Sequence, residues 1–515
     1  MGKYILTLDI GTTNIKGMLF DKNGEIEAQS KRRPHYFLDE PGQVEQDPIE
    51  IWNMSREALE EVVDSKSLKA EDIDAIAITT QRASFCLWDR KTSKPLTNII
   101  TWQDKRASAY AEKMSKVFSL RLIRGITKFI SLFSKNPRMI TASMLRFNSD
   151  YASARTGYFL KENPEIKKLV KTNPKNIAWG TIDTWILWNL TEGKVHATDY
   201  SNASATGLLD PFKLTWNTIV LNLFDIPQEI LPEIKETRGD FGITKLFGNG
   251  EIPIKAVIAD QQASLFGQCC FNFGDVKVTN GTGSFVDINT GELPFASKRK
   301  LYPLVAWVVN GKPTYMLEGM SHNTGNIIDW IQNELGLIND PSETEKMAFS
   351  VDSTNGVYFL PTFTSGISFP YWDPTVRGNL FGISLDTKKE HIIRAVLEGI
   401  CFRIKDFVEG IKEDTKIDIK KIKADGGVSQ NKFVLQFLAD ILGIEVEHSG
   451  NPETTALGAT FMAGLEIGYW NSEGDLQGIR KIGELYKPKM NDEERKRKYE
   501  CWKDIVSRSL NYFND

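Results

Sequence analysis

An acid, a turn of small residues, two hydroxyls and a cation follow one another in Asp9-Ile-Gly-Thr-Thr-Asn-Ile-Lys16. Such a run suits phosphate. Gly11 lets the backbone approach closely, Thr12 and Thr13 offer N–H and O–H donors, Lys16 brings a positive charge, and Asp9 can hold Mg²⁺ directly or through water. Taken alone, the octapeptide reads equally well as a hairpin turn with a satisfied carboxylate. Two more donor-rich turns lie far downstream, Gly281-Thr-Gly283 and Asp425-Gly-Gly427, the latter followed by Asn431. The three together have the parts of an ATP clamp. Asp260 stands where the apolar run Ile254-Lys-Ala-Val-Ile-Ala gives way to the helix-like Gln261-Gln-Ala-Ser-Leu-Phe-Gly267. An acid at that junction either caps the helix or takes the proton from a substrate hydroxyl while that oxygen attacks a γ-phosphate.

These groups need a scaffold, and the hydrophobic pattern supplies one. Tyr4 to Ile10, Ile15 to Phe20 and a third short run alternate around tight turns, which predicts an antiparallel meander. Asp47-Pro48 opens a helical pattern from Ile49 to about Val63, and Ile73 to Thr79 returns as a buried strand. The runs 275–279 and 284–288 flank the second Gly-Thr turn as another hairpin, roughly 270 residues after the first. The repetition predicts a duplicated α/β fold in which each copy presents one loop to a shared ligand. The expected division falls at Asp260, giving domains 1–259 and 260–515.

Composition narrows the chemistry. The 515 residues carry 63 Lys and Arg against 67 Asp and Glu, a net charge of −4, which argues against a protein whose main work is holding nucleic acid. Five cysteines without a C-x-x-C pair and five scattered histidines indicate neither a zinc site nor a disulfide scaffold. The opening MGKYILTLDIGTTN does not read as a secretory signal, no apolar run reaches a membrane span, and a cytoplasmic location is expected. Walker, protein-kinase and Rossmann signatures do not occur, so the phosphate loops are of another kind. The least regular part is 111–147, where 121–133 is basic and amphipathic. Such a stretch can lie on a membrane surface, but a helix packed on its own domain is the expectation, because amphipathicity is the default for surface helices. The tail from Asn491 is expected to be a solvated helix with charge pairs.

Asp9-Ile-Gly-Thr-Thr, Asp260-Gln-Gln-Ala, Gly281-Thr-Gly283, Tyr371-Trp-Asp-Pro374 and Asp425-Gly-Gly427, in this order, resemble the FGGY carbohydrate kinases, and within them the glycerol kinases. Gly180-Thr-Ile-Asp-Thr-Trp185, His196 to Ala203, Asn355-Gly-Val357 and Ala456-Leu-Gly-Ala459 extend the likeness over nearly the whole chain. The long stretch between Ala111 and Asp150 resembles a divergent animal branch of the glycerol kinases. The resemblance implies two actin-like (ribonuclease H-like) domains, ATP and Mg²⁺ in the cleft between them, and a polyol acceptor. It implies Asp260 as the catalytic base, and Asp9 with Asp260 beside the metal. It places Thr12, Thr13, Lys16, Thr282, Gly325, Gly427 and Asn431 at the nucleotide, and Arg82, Trp102, Tyr151, Asp260, Gln261 and Phe285 at the polyol. Lys16 stands where the family usually has Arg, and Asp329 where glycerol kinases tend to have Gln.

One departure bears on the acceptor. The family motif Asn-Gln-Arg-Glu reads Thr80-Gln81-Arg82-Ala83 here, so a carboxylate that would accept from two glycerol hydroxyls is replaced by a methyl group. Loss of a charge-assisted acceptor is expected to weaken glycerol turnover about 10- to 100-fold unless another group substitutes, Ser84 being one candidate. Three readings follow: a glycerol kinase, a kinase of a different sugar, triose or polyol, and a nucleotide-binding regulatory protein of low activity. Retention of Asp9 and Asp260 argues against the last. The partners expected are a small polyol or sugar and no nucleic acid, with a homodimer as an admissible assembly.

Overall fold

Tyr4–Ile10, Ile15–Phe20 and Ile26–Arg32 are joined by turns too short for anything but antiparallel pairing. The computed structural model, which describes residues 3–134, 136–248, 250–363 and 366–511, contains that meander. The outer ends of the two expected domains, residues 1–2 and 512–515, and residue 135 of the irregular stretch lie outside the described residues. Asp47 caps helix Pro48–Ser65 by accepting the Ile49 N–H, and the helix returns the chain so that Ile73–Thr80 pairs parallel to Tyr4–Ile10. Ile252–Ala259 then adds parallel to Ile73–Thr80.

The second sheet repeats this pattern of strand senses. Lys312–Ser321, Ser284–Gly291 and Val276–Asn280 are successively antiparallel, and Lys421–Asp425 and Glu445–Ser449 continue parallel. The duplication read from the two Gly-Thr hairpins is therefore a duplication of sheets. In each sheet the parallel strands deliver their C-terminal ends to one edge, the place where open α/β sheets offer a crevice to ligands.

Two helices lie between the sheets and join them. Asp260–Gly267 and Thr454–Glu466 share one apolar core with Ile5, Ala75, Ala77, Ala256 and Ile258 of the first sheet and Leu304, Ala306 and Met316 of the second. Alanines on the first sheet's helix-facing side leave room for this close approach. At the helix crossing a Cβ on Gly458 would overlap the Ala263 carbonyl, and one on Gly267 the Thr454 carbonyl. The expected division at Asp260 thus falls on the first residue of a connecting helix, and the second half returns a helix beneath the first sheet.

A smaller sheet, with Phe85–Asp89 between Ile99–Ile100 and Ile177–Thr181, hangs from the first and carries one wall of the crevice. The irregular segment differs from expectation. It folds as helices Ser108–Ser115, Phe118–Ser131 and Pro137–Met144, and the middle helix buries only Leu120 and Thr127 while its apolar side faces solvent. The C-terminal helix Asp492–Ser509, capped by Asn491, carries the expected pairs Lys503–Glu500 and Arg508–Asp504, yet it is not simply solvated, since Trp502 and Val506 enter the second core. No helix among the described residues is long and apolar enough to cross a membrane.

Because the Gly458 contact is backbone against backbone, Gly458→Ala has no flexible side chain to displace. It should lower the urea midpoint by the equivalent of about 1–3 kcal/mol, the usual cost of overpacking. Gly478→Ala, in the helix Glu473–Ile479 with nothing within 4 Å of the added Cβ, should hold or raise the midpoint. Equal midpoints for the two variants would refute this account of how the sheets are joined.

Candidate active site

Asp9 ends one parallel strand, Arg82 and Ala83 follow the next, and Asp260 follows the third, so sheet pairing alone brings them to one edge. There Arg82, Ala83 and Asp260 line a cavity of about 190 Å³, a volume scaled to a small molecule. Thr12 and Thr13 enter it from the first hairpin, and Gly281, Thr282 and Gly283 from the second. Arg82, Trp102, Tyr151, Asp260, Gln261 and Phe285, all expected at the acceptor, line its walls.

Asp260 is the first residue of its helix rather than its cap, a position held by Ala259. Its Oδ1 accepts the adjacent Gln261 N–H at 2.8 Å and lies 3.4 Å from Arg82 Nε. Burial pushes its pKa above the usual carboxylate range, while Arg82 and the Gln261 backbone pull against that rise. Arg82 also donates to Glu318 at 2.7 Å, and its guanidinium stands 5.6 Å from the Phe285 ring. Glu318 is raised by burial, with Arg82 opposing. Beneath them Lys277 and Asp287 pair at 2.7 Å with neither side chain exposed, and Lys277 donates to Gln261 Oε1 at 2.6 Å. The Gln261 amide beside Asp260 is therefore fixed by a buried cation.

Trp102 donates its indole N–H to Thr12 Oγ1 at 3.1 Å, tying this wall of the cavity to the first hairpin. Ala83 adopts φ 59°, unusual for a residue with a side chain, and its carbonyl accepts from Arg155 at 2.8 Å. Ser84, the candidate substitute acceptor, is fully buried and its Oγ accepts the Trp102 backbone N–H at 3.1 Å, so it is not available to a ligand.

Asp150, Tyr302 and Glu318 also line the cavity and were not anticipated. Asp150 belongs to no motif. The same Arg155 that holds the Ala83 carbonyl also bonds the Asp150 carbonyl at 3.1 Å, which places the two loops side by side. Burial pushes the Asp150 pKa up, but Lys105, 2.6 Å away, together with His322 and Arg155 outweighs it, so the group stays below the usual range.

The other expected nucleotide residues lie outside the cavity wall. Lys16 is not free for phosphate: its ammonium reaches both carboxylate oxygens of Glu453, at 2.7 and 2.6 Å. Gly325 starts the helix Gly325–Asn333 and donates its N–H to the Gly281 carbonyl, fixing the second hairpin turn at 3.0 Å. Gly426, at φ 91°, lets the third turn press on the Asn280 backbone, and Gly427 beside it faces open space. Asn431 caps helix Lys432–Leu442 and donates to Thr344 at 3.1 Å. Asp329 is exposed on the Gly325–Asn333 helix.

Asp9 also stands outside the wall. It is nearly buried and accepts no hydrogen bond among the described residues, and its pKa is pushed up to about 7, first by burial, with Lys16 opposing and Glu453 and Asp260 adding to the rise. An unsatisfied hard oxygen donor of this kind suits a divalent cation. No cluster of three or more His, Cys, Asp or Glu exists among the described residues, so such a cation would take its remaining ligands from phosphate and water, as Mg²⁺ does.

The model of the FGGY family of carbohydrate kinases matches as its N-terminal domain over residues 4–267 and as its C-terminal domain over 276–467. The chain is 39% identical over 512 residues to glycerol kinase 2 of Thermotoga maritima, covering 99% of each protein. It is 38% identical over 519 residues to glycerol kinase 5 of Danio rerio, covering 99% of this chain and 97% of that one. Among solved structures, Plasmodium falciparum glycerol kinase with ADP superposes with a TM-score of 0.83 at 32% identity, covering 98% of each chain.

Between about pH 4 and pH 7 the folded chain keeps a proton on Asp9 that the unfolded chain has released, so this group's contribution to stability falls as pH rises. Asp9→Asn removes that decline. Its unfolding free energy relative to the parent should grow by about 2–4 kcal/mol from pH 4 to pH 7, read from urea midpoints without divalent cations. A gap independent of pH would contradict the assignment.

Proposed function

The chain belongs to the FGGY family of carbohydrate kinases, and from that premise we propose that it transfers the γ-phosphoryl group of ATP to glycerol, giving glycerol 3-phosphate. The observation that carries this reading is a single small cavity lined by both Gly-Thr hairpins, with a carboxylate, Asp260, that faces a cation instead of capping its helix. Asp260 takes the proton of the attacking hydroxyl as that oxygen bonds to the γ-phosphorus and the bond to the β–γ bridging oxygen breaks, releasing ADP; a carboxyl raised by burial is suited to accept the proton. Arg82 and Gln261, both immobilised by buried partners, orient the acceptor, and Trp102, Tyr151 and Phe285 enclose its carbon chain and exclude water.

Thr12, Thr13 and Thr282 present donors to the phosphates, with Gly325, Gly427 and Asn431 shaping the nucleotide side. Lys16 serves there only if it leaves Glu453. Mg²⁺ held by Asp9 and Asp260 would neutralise phosphate charge. In this reading residues 1–259 carry most of the acceptor site and 260–515 most of the nucleotide site. All five cysteines are free and four are buried, which supports a cytoplasmic enzyme.

Glycerol is retained as the acceptor despite Ala83 because Asp150 replaces the missing carboxylate. It lines the same cavity, stays ionised, and belongs to the loop that Arg155 clamps against Ala83.

The reading is tested by measuring ATP consumption over glycerol, dihydroxyacetone, glyceraldehyde, tetritols and pentitols, with Asp150→Asn run in parallel. Glycerol should give the highest kcat/KM, and Asp150→Asn should lower it on glycerol by about 10- to 100-fold while leaving the KM for ATP unchanged. Preference for another acceptor would reject glycerol. An Asp150→Asn variant indistinguishable from the parent would reject the substituted carboxylate.

A further inference from the structure

Seven of the 21 exposed large apolar side chains among the described residues fall within Phe118 to Phe133. Phe118 is 80% exposed, Phe129 64%, Leu132 72% and Phe133 81%, far from the burial that a helix packed on its own domain would give. At about 100° per residue, Phe118, Leu122, Ile126, Phe129, Ile130 and Phe133 occupy a single arc of about 120° on the helix Phe118–Ser131 and its continuation. The opposite flank carries Leu120 and Thr127, the two buried residues of the helix, and Arg124, which donates to the Ser115 carbonyl at 2.6 Å. A contiguous apolar surface of this extent marks an interaction site.

Charge identifies the occupant. From Lys113 to Ser149 the sequence has eight Lys and Arg and no Asp or Glu, in a chain whose net charge is −4. Arg121, Lys128 and Arg146 form no ion pair among the described residues, and Arg121 and Lys128 lie beside the apolar arc, where their stems can carry the charge away from it. A second copy docking through this face would bring the same cations against themselves, since a two-fold contact is self-complementary. An anionic lipid surface meets both demands at once, taking the aromatic and aliphatic side chains among its acyl chains and the cations at its headgroups.

We propose that the helices Phe118–Ser131 and Pro137–Met144 dock the enzyme reversibly on an anionic membrane surface. The second of them runs into the Asn148–Tyr151 loop at the rim of the acceptor cavity, so docking would set that rim close to the lipid. The attachment is peripheral, consistent with the lack of any helix among the described residues that could span a bilayer.

The test is flotation of the full chain with vesicles of phosphatidylcholine alone and of phosphatidylcholine with about 30% phosphatidylserine. At least about tenfold more protein should float with the anionic vesicles, and about 0.5 M salt should reduce that fraction. The double variant Phe129→Glu, Phe133→Glu should fall to the level seen with phosphatidylcholine alone while keeping ATP turnover in solution, which also reports that it folds. Absence of flotation with anionic vesicles, or flotation of the double variant equal to the parent, overturns the proposal. So does a parent that sediments as a dimer and a double variant that sediments as a monomer, since the face would then belong to a second copy.

Discussion

One guanidinium holds the site together. Arg82, at the end of a strand of the first sheet, stands between Glu318 of the second sheet and Asp260 of the connecting helix. Its side chain is 11% exposed and that of Glu318 4%, so neither charge has enough water to stabilise it alone. Breaking a buried pair by removing one partner costs about 3–5 kcal/mol. The halves of the molecule must therefore meet at this point, and the cavity forms around it. The same arrangement sets the chemistry, because Arg82 limits how far burial can raise Asp260, and the deeper Lys277–Asp287 pair fixes the neighbouring Gln261.

The joint that permits these contacts is built from small residues. Gly267 and Gly458 bring two helices into backbone contact between the sheets, and the alanines of the first sheet lie against them. A close crossing of this kind holds the sheets at a fixed spacing, with Phe266, Phe461 and Met462 packed in the core around it.

What the sequence revealed depended on how local the cause was. The meander around Gly11, the hairpin around Gly281 and the strand-to-helix junction at Asp260 are set by alternation and turn residues within a dozen positions, and the structure has them as expected. Contacts set by the tertiary arrangement left no such trace. Lys16 reads as a phosphate ligand until Glu453, 437 residues later, is placed beside it. Asp150 gained its position from Arg155 and Lys105, and Ser84 lost its availability to the Trp102 backbone. The amphipathic pattern of 121–133 was visible, but periodicity shows only that one side is apolar. Whether protein covers that side depends on where the rest of the chain lies.

The most direct test of the account is single-turnover phosphoryl transfer by Asp260→Asn, with ATP affinity measured on the same preparation. Asparagine keeps the shape and the position beside Arg82 but cannot accept the proton. The account predicts a rate lower by about 10²- to 10⁴-fold with ATP affinity unchanged. A variant that transfers phosphate at the parental rate would contradict it.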